Sequence, residues 1–286
     1  MLRIGKHVAR ILFLVLLGGI LGAALVRFSP GFGVDEQELD IRLSAQSIRV
    51  RRAQQDRDTP FVLFCFHHFA GLLRGDLGVS RTLQRPVSEL LKERFPETAK
   101  SVALSLALGW MLGLWLAILV VMSRNWGVDL LASLVAGTLM CLPAAVLALL
   151  FVLARAPARL VLAVVIFPNI FRYSRNLLVR SASQPHVLMA YAKGLGTIRA
   201  LLRHVVLPAA PQLTALAGVS LSLALTAAIP VEALCDLPGI GQLAWKAALG
   251  RDLYLLVNLT MMVAVLTLLA NSISDVLACS FRKSAA

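Results

Sequence analysis

The stretch SVALSLALGWMLGLWLAILVVM, Ser101 to Met122, decides the fold class. It carries no Asp, Glu, Lys or Arg over 22 residues. As a helix it would be about 33 Å long at 1.5 Å per residue, enough to cross the ~30 Å hydrocarbon core of a bilayer. The whole chain agrees with that reading. Of its 286 residues, 58% are hydrophobic and 15% are charged, with a mean hydropathy of +0.80, whereas ordinary soluble chains are about 25% charged. This balance argues against a water-soluble enzyme. Low charge and the lack of a glycine period exclude a disordered or collagen-like chain.

Upstream, Arg3, Lys6 and Arg10 precede the uncharged run Ile11 to Val26. That pattern fits either a secretory signal or a first helix. No small-x-small cleavage site precedes Arg27-Phe28-Ser29-Pro30, and the remaining chain is itself membranous, so an uncleaved first helix is expected. Residues 29–96 are polar, with ten Lys/Arg against nine Asp/Glu, and are expected to form an extramembrane loop or small cap. Downstream, Leu130 to Leu153 reads as a span kinked at Pro143. Leu160 to Phe171 is too short to cross alone and must extend through Tyr173 or Leu178, tilt, or be re-entrant. Val205 to Val231 contains Pro208, Pro211 and Pro230, so the helix proper is expected to start near Pro211. Leu253 to Ser274 is the last span. The expectation is an all-α, polytopic membrane protein of about six transmembrane helices. Its regions would be 1–28 (N-terminus and first helix), 29–96 (external loop) and 97–286 (core).

Charge decides the sides. The formal net charge is +13, and Arg172, Arg175, Arg180, Lys193, Arg199 and Arg203 form a run free of Asp and Glu between apolar segments. Short basic loops beside spans mark the cytoplasmic face. Twelve Lys/Arg fall on the side of both termini and four on the other, the long loop and its flanking Arg27 and Lys100 excluded, so both termini are expected in the cytoplasm. A basic chain also raises nucleic acid as a partner, but no aromatic series for base stacking accompanies the cations, and none is expected.

Signatures of chemistry are sparse. No P-loop, H-E-x-x-H or G-x-S-x-G occurs. Gly239-Ile240-Gly241-Gln242-Leu243-Ala244 matches a dinucleotide pattern but lacks the leading strand and the following acid, and reads as a glycine-rich turn between helices. Cys65, Cys141, Cys235 and Cys279 form no CxxC pair. Cys65 with His67 and His68 reads as a half-buried aromatic segment rather than a metal site, so neither metal nor cofactor is expected. Asp275, with Asn271 and Ser274 on neighbouring turns, reads as an interfacial or helix-packing residue, with proton coupling as the minority alternative.

The sharpest signal lies in residues 172–204. Met189-Ala190-Tyr191-Ala192-Lys193-Gly194-Leu195-Gly196 is a small-residue helical turn closed by glycine. Arg203-His204 then leads through Pro208 and Pro211 into a span. Small residues at Ala190 and Ala192, a cation at Lys193 and a bend at Gly194 suit a helix end entering a confined groove of a soluble partner.

These residues resemble the cytoplasmic coupling motif of ABC-importer permeases, in the dipeptide/oligopeptide/nickel branch, where A-x-A-K-G-L is followed by R-H and a spaced proline. Gly75-Asp76-Leu77-Gly78-Val79-Ser80, Arg85-Pro86-Val87, Arg94-Phe95-Pro96, Val231-Glu232, Leu237-Pro238-Gly239-Ile240-Gly241-Gln242-Leu243 and Ala248-Leu249-Gly250-Arg251-Asp252 follow in the family's order, from about residue 71 to the end. The resemblance implies a type I importer permease fold in a bacterial inner membrane, lining half of a path for a peptide-like or related small solute. It implies as partners a second similar permease, two cytoplasmic ATPases that carry out the ATP chemistry, and an external solute-binding protein. It implies ATPase coupling through Ala190, Ala192, Lys193, Gly194, Leu195, Arg203 and His204. Glu232, Pro238, Gly239, Gly241, Arg251 and Asp252 would form an external turn or gate, with Gly241 expected to need positive φ. Two departures fall on the external face: Pro30-Gly31-Phe32-Gly33 replaces the family's P-G-D-P, and the loop Ala154 to Arg159 is shortened. They leave open an export or scaffold subunit that works without a binding protein. A secondary transporter would need a buried coupling charge, for which only Asp275 is available.

Overall fold

The computed structural model describes residues 2–28, 61–123 and 125–284. Among them all regular structure is helical, apart from one isolated antiparallel bridge between Val79 and Pro86. Residues 29–60, the larger part of the expected polar loop and the site of the Pro30-Gly31 departure, lie outside the described residues. The helices are α1 (Leu2–Arg27), α2 (Phe61–Leu73), α3 (Val87–Ser123), α4 (Trp126–Cys141), α5 (Ala144–Leu153), α6 (Ala158–Ala182), α7 (Pro185–Ala192), α8 (Thr197–Ala200), α9 (Leu207–Leu234), α10 (Ile240–Leu249) and α11 (Leu253–Ser284). A π-helical turn, Leu201–Val206, joins α8 to α9.

Three stretches are long and apolar enough to cross a membrane: Val87–Ser123, Thr197–Leu234 and Leu253–Ser280. A fourth candidate is the pair α4 and α5, and Leu12–Leu25 is a shorter apolar helix. The expected kink at Pro143 is a break: α4 and α5 meet at 95°. Leu142 sits at φ −85°, ψ 122°, because the ring of a following proline disfavours the helical region for the residue before it. Pro143 is the N-cap of α5, outside the helix's own bonding, where a missing N–H costs nothing. The short segment from Leu160 takes the extended form among its alternatives, a continuous 25-residue helix with Pro168 inside. The span that carries Pro208, Pro211 and Pro230 does not wait for Pro211: its helical stretch begins at Thr197, with the π-turn just ahead of Pro208 and Pro211 inside α9.

The chain divides into two compact units, Met1–Phe95 with Leu243–Val265 and Pro96–Gln242 with Leu266–Ala286. In the first, Ala23 of α1 packs on Leu253 and Val257 of α11, with Cys65, Tyr254 and Met261 around them. His68 is buried there against Phe69 and Tyr254, with ring centroids 5.9 and 5.7 Å away. Burial holds its imidazole below the usual range, and the nearby Asp76 carboxylate pulls the other way.

In the second unit α6 is central, burying Val161, Leu162, Ile166, Ile170, Phe171 and Leu178 and packing on α9, α4 and α5. Helix α3 approaches it through Gly113, where a Cβ would stand 2.9 Å from Ile170 Cγ2 and 3.0 Å from Phe171 N. Small residues at such crossings let backbones come together where lipid gives no hydrophobic drive between helices. Polar side chains join α3 and α11 to α9: Trp110 Nε1 donates to Ser220 Oγ at 3.0 Å and Asn271 Nδ2 to Ser222 Oγ at 3.3 Å. Asp275 is exposed, so packing in this region falls to Asn271 and Ser274, which meet α9 at Gly218.

Candidate functional site

The segment after α6 is shaped by local chemistry. Pro185 opens α7 at its first turn, and the helix closes with Gly194 N–H donating to Tyr191 O (2.9 Å) and Leu195 N–H to Ala190 O (3.2 Å). These two bonds form a Schellman motif, which needs a left-handed residue at its turn, and Gly194 has φ +77°. Space around it is open, so the requirement is conformational. We expect Gly194→Ala to destabilise the turn by about 1 kcal/mol and Gly194→Asn by less than half of that. Amide exchange of α7 in the purified protein reads the difference, and equal protection in both variants would contradict it.

Helix α7 is two-faced. Val187 and Ala190 are 2% and 3% exposed and point into their own unit, whereas Leu188 and Met189 are 73% and 59% exposed. Ala190 therefore differs from the expectation that it meets a partner. It sits three residues from Val187, on the face that packs toward the buried Leu178, Leu201 and Val205 cluster. Ala192, Lys193 and Arg203 are exposed, Leu195 and His204 half-buried. Ile198 and Leu202 add 66% and 55% exposed apolar side chains. The outward face is thus apolar with a cationic border of Lys193, Arg199 and Arg203. Arg175, the second cation of the run, is committed within the unit to Asp129, which takes both Nε (2.8 Å) and Nη2.

The turn between α9 and α10 is organised by Glu232, 1% exposed. Its Oε2 accepts from Gly241 N–H (2.6 Å) and from Thr98 Oγ1 (3.0 Å), while Ile240 N–H donates to Thr98 Oγ1 (2.7 Å). Gly239 lies so close that a Cβ would overlap Glu232 Oε2 and stand 2.5 Å from Thr98 Oγ1. The positive φ expected at Gly241 is absent. Among the described glycines it occurs at Gly75, Gly78 and Gly194, and in this turn at Asp236 (φ 51°). Gly241 is required for space instead: its Cβ would be 2.6 Å from Ala228 O and 2.7 Å from Ile229 Cα. Pro238 is exposed.

Asp252 belongs to a different network. Completely buried, it accepts from Ser80 Oγ (2.6 Å), Thr82 N–H (3.0 Å) and Leu255 N–H (3.1 Å), the last capping α11. Asn258 Nδ2 adds a bond to Leu77 O at 2.8 Å. Arg251 holds φ 49° just before it. Of the six residues grouped from the sequence as one gate, four enter two networks, Glu232, Gly239 and Gly241 with Thr98, and Asp252 with Ser80 and Thr82. Thr98, Ser80 and Thr82 were not singled out. Ser80 ends a quoted motif, and Thr98 stands two residues beyond Arg94-Phe95-Pro96. No group of three or more His, Cys, Asp or Glu able to hold a metal occurs among the described residues.

Long apolar helices, joined by polar side chains, define the chain as a polytopic helical membrane protein. The profile of the family described as "binding-protein-dependent transport system inner membrane component" matches residues 109–283, and the chain belongs to that family. It is 27% identical over 233 residues to the oligopeptide transport system permease protein OppB of Haemophilus influenzae, covering 74% of this chain and 76% of that one. It is 28% identical over 246 residues to OppB of Escherichia coli, covering 79% and 80%. To the glutathione transport system permease protein GsiC of Salmonella typhimurium it is 26% identical over 251 residues, covering 82% of each. The chain is thus a multi-pass, inner-membrane permease of the ABC-importer kind.

Proposed function

We propose that the chain lines half of the transmembrane path of an ATP-driven importer for a peptide-like solute and couples to cytoplasmic ATPases through α7 and the Gly194 turn. A second permease, two ATPases and an external solute-binding protein complete the assembly. The observation that carries the coupling is the outward apolar face of Leu188, Met189, Ile198 and Leu202 bordered by cations, held by a packed inner face and a glycine-closed turn. Grooves on soluble partners accept helices of this kind through their apolar anchors. The names of the oligopeptide and glutathione permeases support a peptide-like solute.

Basic residues could instead hold the segment at anionic headgroups, at about 1 kcal/mol per cation. The two accounts separate by residue type. Leu188→Glu with Met189→Glu is expected to lower co-purification of the ATPase from detergent at least tenfold, while Lys193→Gln with Arg199→Gln and Arg203→Gln has a smaller effect. The reverse order would reject the coupling assignment.

The charge asymmetry supports cytoplasmic termini, with Gln84 outside and Lys193 inside. In right-side-out vesicles of a chain freed of its native cysteines, an impermeant maleimide is expected to label Gln84→Cys and spare Lys193→Cys. Labelling of both would end the six-span topology. The export or scaffold alternative rests on the tight turn at Ala154 to Pro157, where Arg155 has φ 53°, and it requires transport that a binding protein does not stimulate.

A further inference from the structure

Where α8 becomes α9, the backbone leaves helical bonding incomplete. Leu207 N–H donates five residues back, to Leu202 O. Pro208 has no N–H, so the His204 carbonyl lacks the donor that an α-helix would supply four residues on. Side chains from two neighbouring elements reach these carbonyls. His186 Nε2, from the first turn of α7, lies 2.9 Å from His204 O, and Ser181 Oγ, from the last turn of α6, donates to Val205 O at 2.8 Å. A carbonyl oxygen only accepts, so the His186 ring carries its proton on Nε2 in this contact. The two imidazoles lie near each other, with centroids 6.3 Å apart. Single π-turns inside long helices recur at functional places because they loosen the ladder at one point.

We propose that His186 is a positioning residue that ties α7 to the base of α9, so that displacement of α7 by a bound ATPase is delivered to α9 at the π-turn. This rests on the coupling role proposed for α7. Its chemistry is narrow: one N–H donor at the reach of Nε2, aimed at a carbonyl that proline has left without its usual donor. Packing of α7 through Val187 and Ala190 holds the helix in place but provides no directional bond to α9. Ser181 holds the adjacent carbonyl from α6, so the π-turn is braced from one side and pulled from the other. Conventional helical bonding resumes beyond Pro208, and α9 then runs as one helix to Leu234. Cys235, half-buried at that far end, is a natural reporter of whether movement arrives.

The test uses the full permease–ATPase assembly, with Cys65, Cys141 and Cys279 replaced by Ala and Cys235 kept. The rate of maleimide labelling at Cys235 is compared without nucleotide and with ATP and vanadate, in detergent. Wild type is expected to show a nucleotide-dependent difference of at least fivefold. His186→Ala should reduce this difference to below twofold with the ATPase still co-purifying. His186→Gln, whose amide N–H reaches as far as Nε2, should keep it, and His186→Asn, which is one bond shorter, should not. A merely structural role would move the Gln and Asn variants alike. Full nucleotide dependence in His186→Ala overturns the proposal, and so does an assembly that binds ATPase but shows no nucleotide dependence at Cys235 in wild type. Failure of wild type to retain any ATPase refutes the coupling reading beneath it instead, so the two failures are distinct.

Discussion

Gly239→Ala is expected to cost roughly 3 kcal/mol of stability, the upper part of the range for overpacking a filled site. The added methyl would occupy space held by the Glu232 carboxylate and the Thr98 hydroxyl, whose residues are 1% and 4% exposed. Neither can withdraw, because Gly241 N–H and Ile240 N–H hold them. Glu232→Ala is expected to cost a similar amount for the opposite reason, leaving the Gly241 N–H and the Thr98 hydroxyl buried without their acceptor at about 1–3 kcal/mol each. The double variant separates this account from general fragility. Removing the carboxylate makes room for the methyl, so the pair should be less damaging than the two effects added, by about 2 kcal/mol, as contacting residues that share one space are not additive. Thermal unfolding of the four proteins in one detergent gives the cycle. Additive losses would show that Gly239 and Glu232 do not share the space described. Glu232 ends a membrane helix, and Gly241 opens the short helix after it, so a lost bond here should reduce solute flux along with stability.

Asp252→Ala should lower the apparent melting temperature by roughly 10 °C, equivalent to about 4 kcal/mol for a chain of this size. Three donors lose their acceptor at a site from which solvent is excluded. Two of them, Ser80 Oγ and Thr82 N–H, come from a turn about 170 residues earlier in the chain, and the third is the Leu255 N–H at the start of α11. Loss of a helix cap alone costs typically ~1 kcal/mol, and each buried donor left without a partner adds to it. Asp252→Asn retains an oxygen acceptor and a good capping side chain, so its shift should be less than half as large. Ser80→Ala removes the bond to Asp252 and the one that Leu83 N–H donates to Ser80 Oγ, leaves Asp252 its other two donors, and should fall between Asp252→Ala and the exposed control Asp275→Ala. If Asp252→Ala melts no lower than that control, the network is not a source of stability.

What was legible in the sequence was set by additive or local physics. Transfer of an apolar run into a bilayer sums over contiguous residues, so Ser101 to Met122 declares a span without reference to any other part of the chain. A break at Pro143 and a glycine-closed turn at Gly194 follow from steric limits within a few residues. Only the tertiary structure decided which faces turn inward and which distant residues meet. Ser80 and Asp252 are 172 positions apart, Thr98 and Glu232 134, and nothing local to any of them names its partner. Gly241 gave the same one-letter signal whether it was needed for backbone angle or for space, and the proximity of Ala228 and Ile229 decided for space. Ala190 looked like a contact for a partner until Val187 beside it was seen to share its inward face. His186 and Ser181 were silent because their role depends on carbonyls 18 and 24 residues away in the chain that only the packing of neighbouring elements brings within reach. In a soluble helix the alternation of polar and apolar residues would have marked the inner face. Here lipid-facing and core-facing positions are both apolar, so that signal is erased, and close packing with a few directional hydrogen bonds selects the fold among the arrangements that hydropathy alone allows.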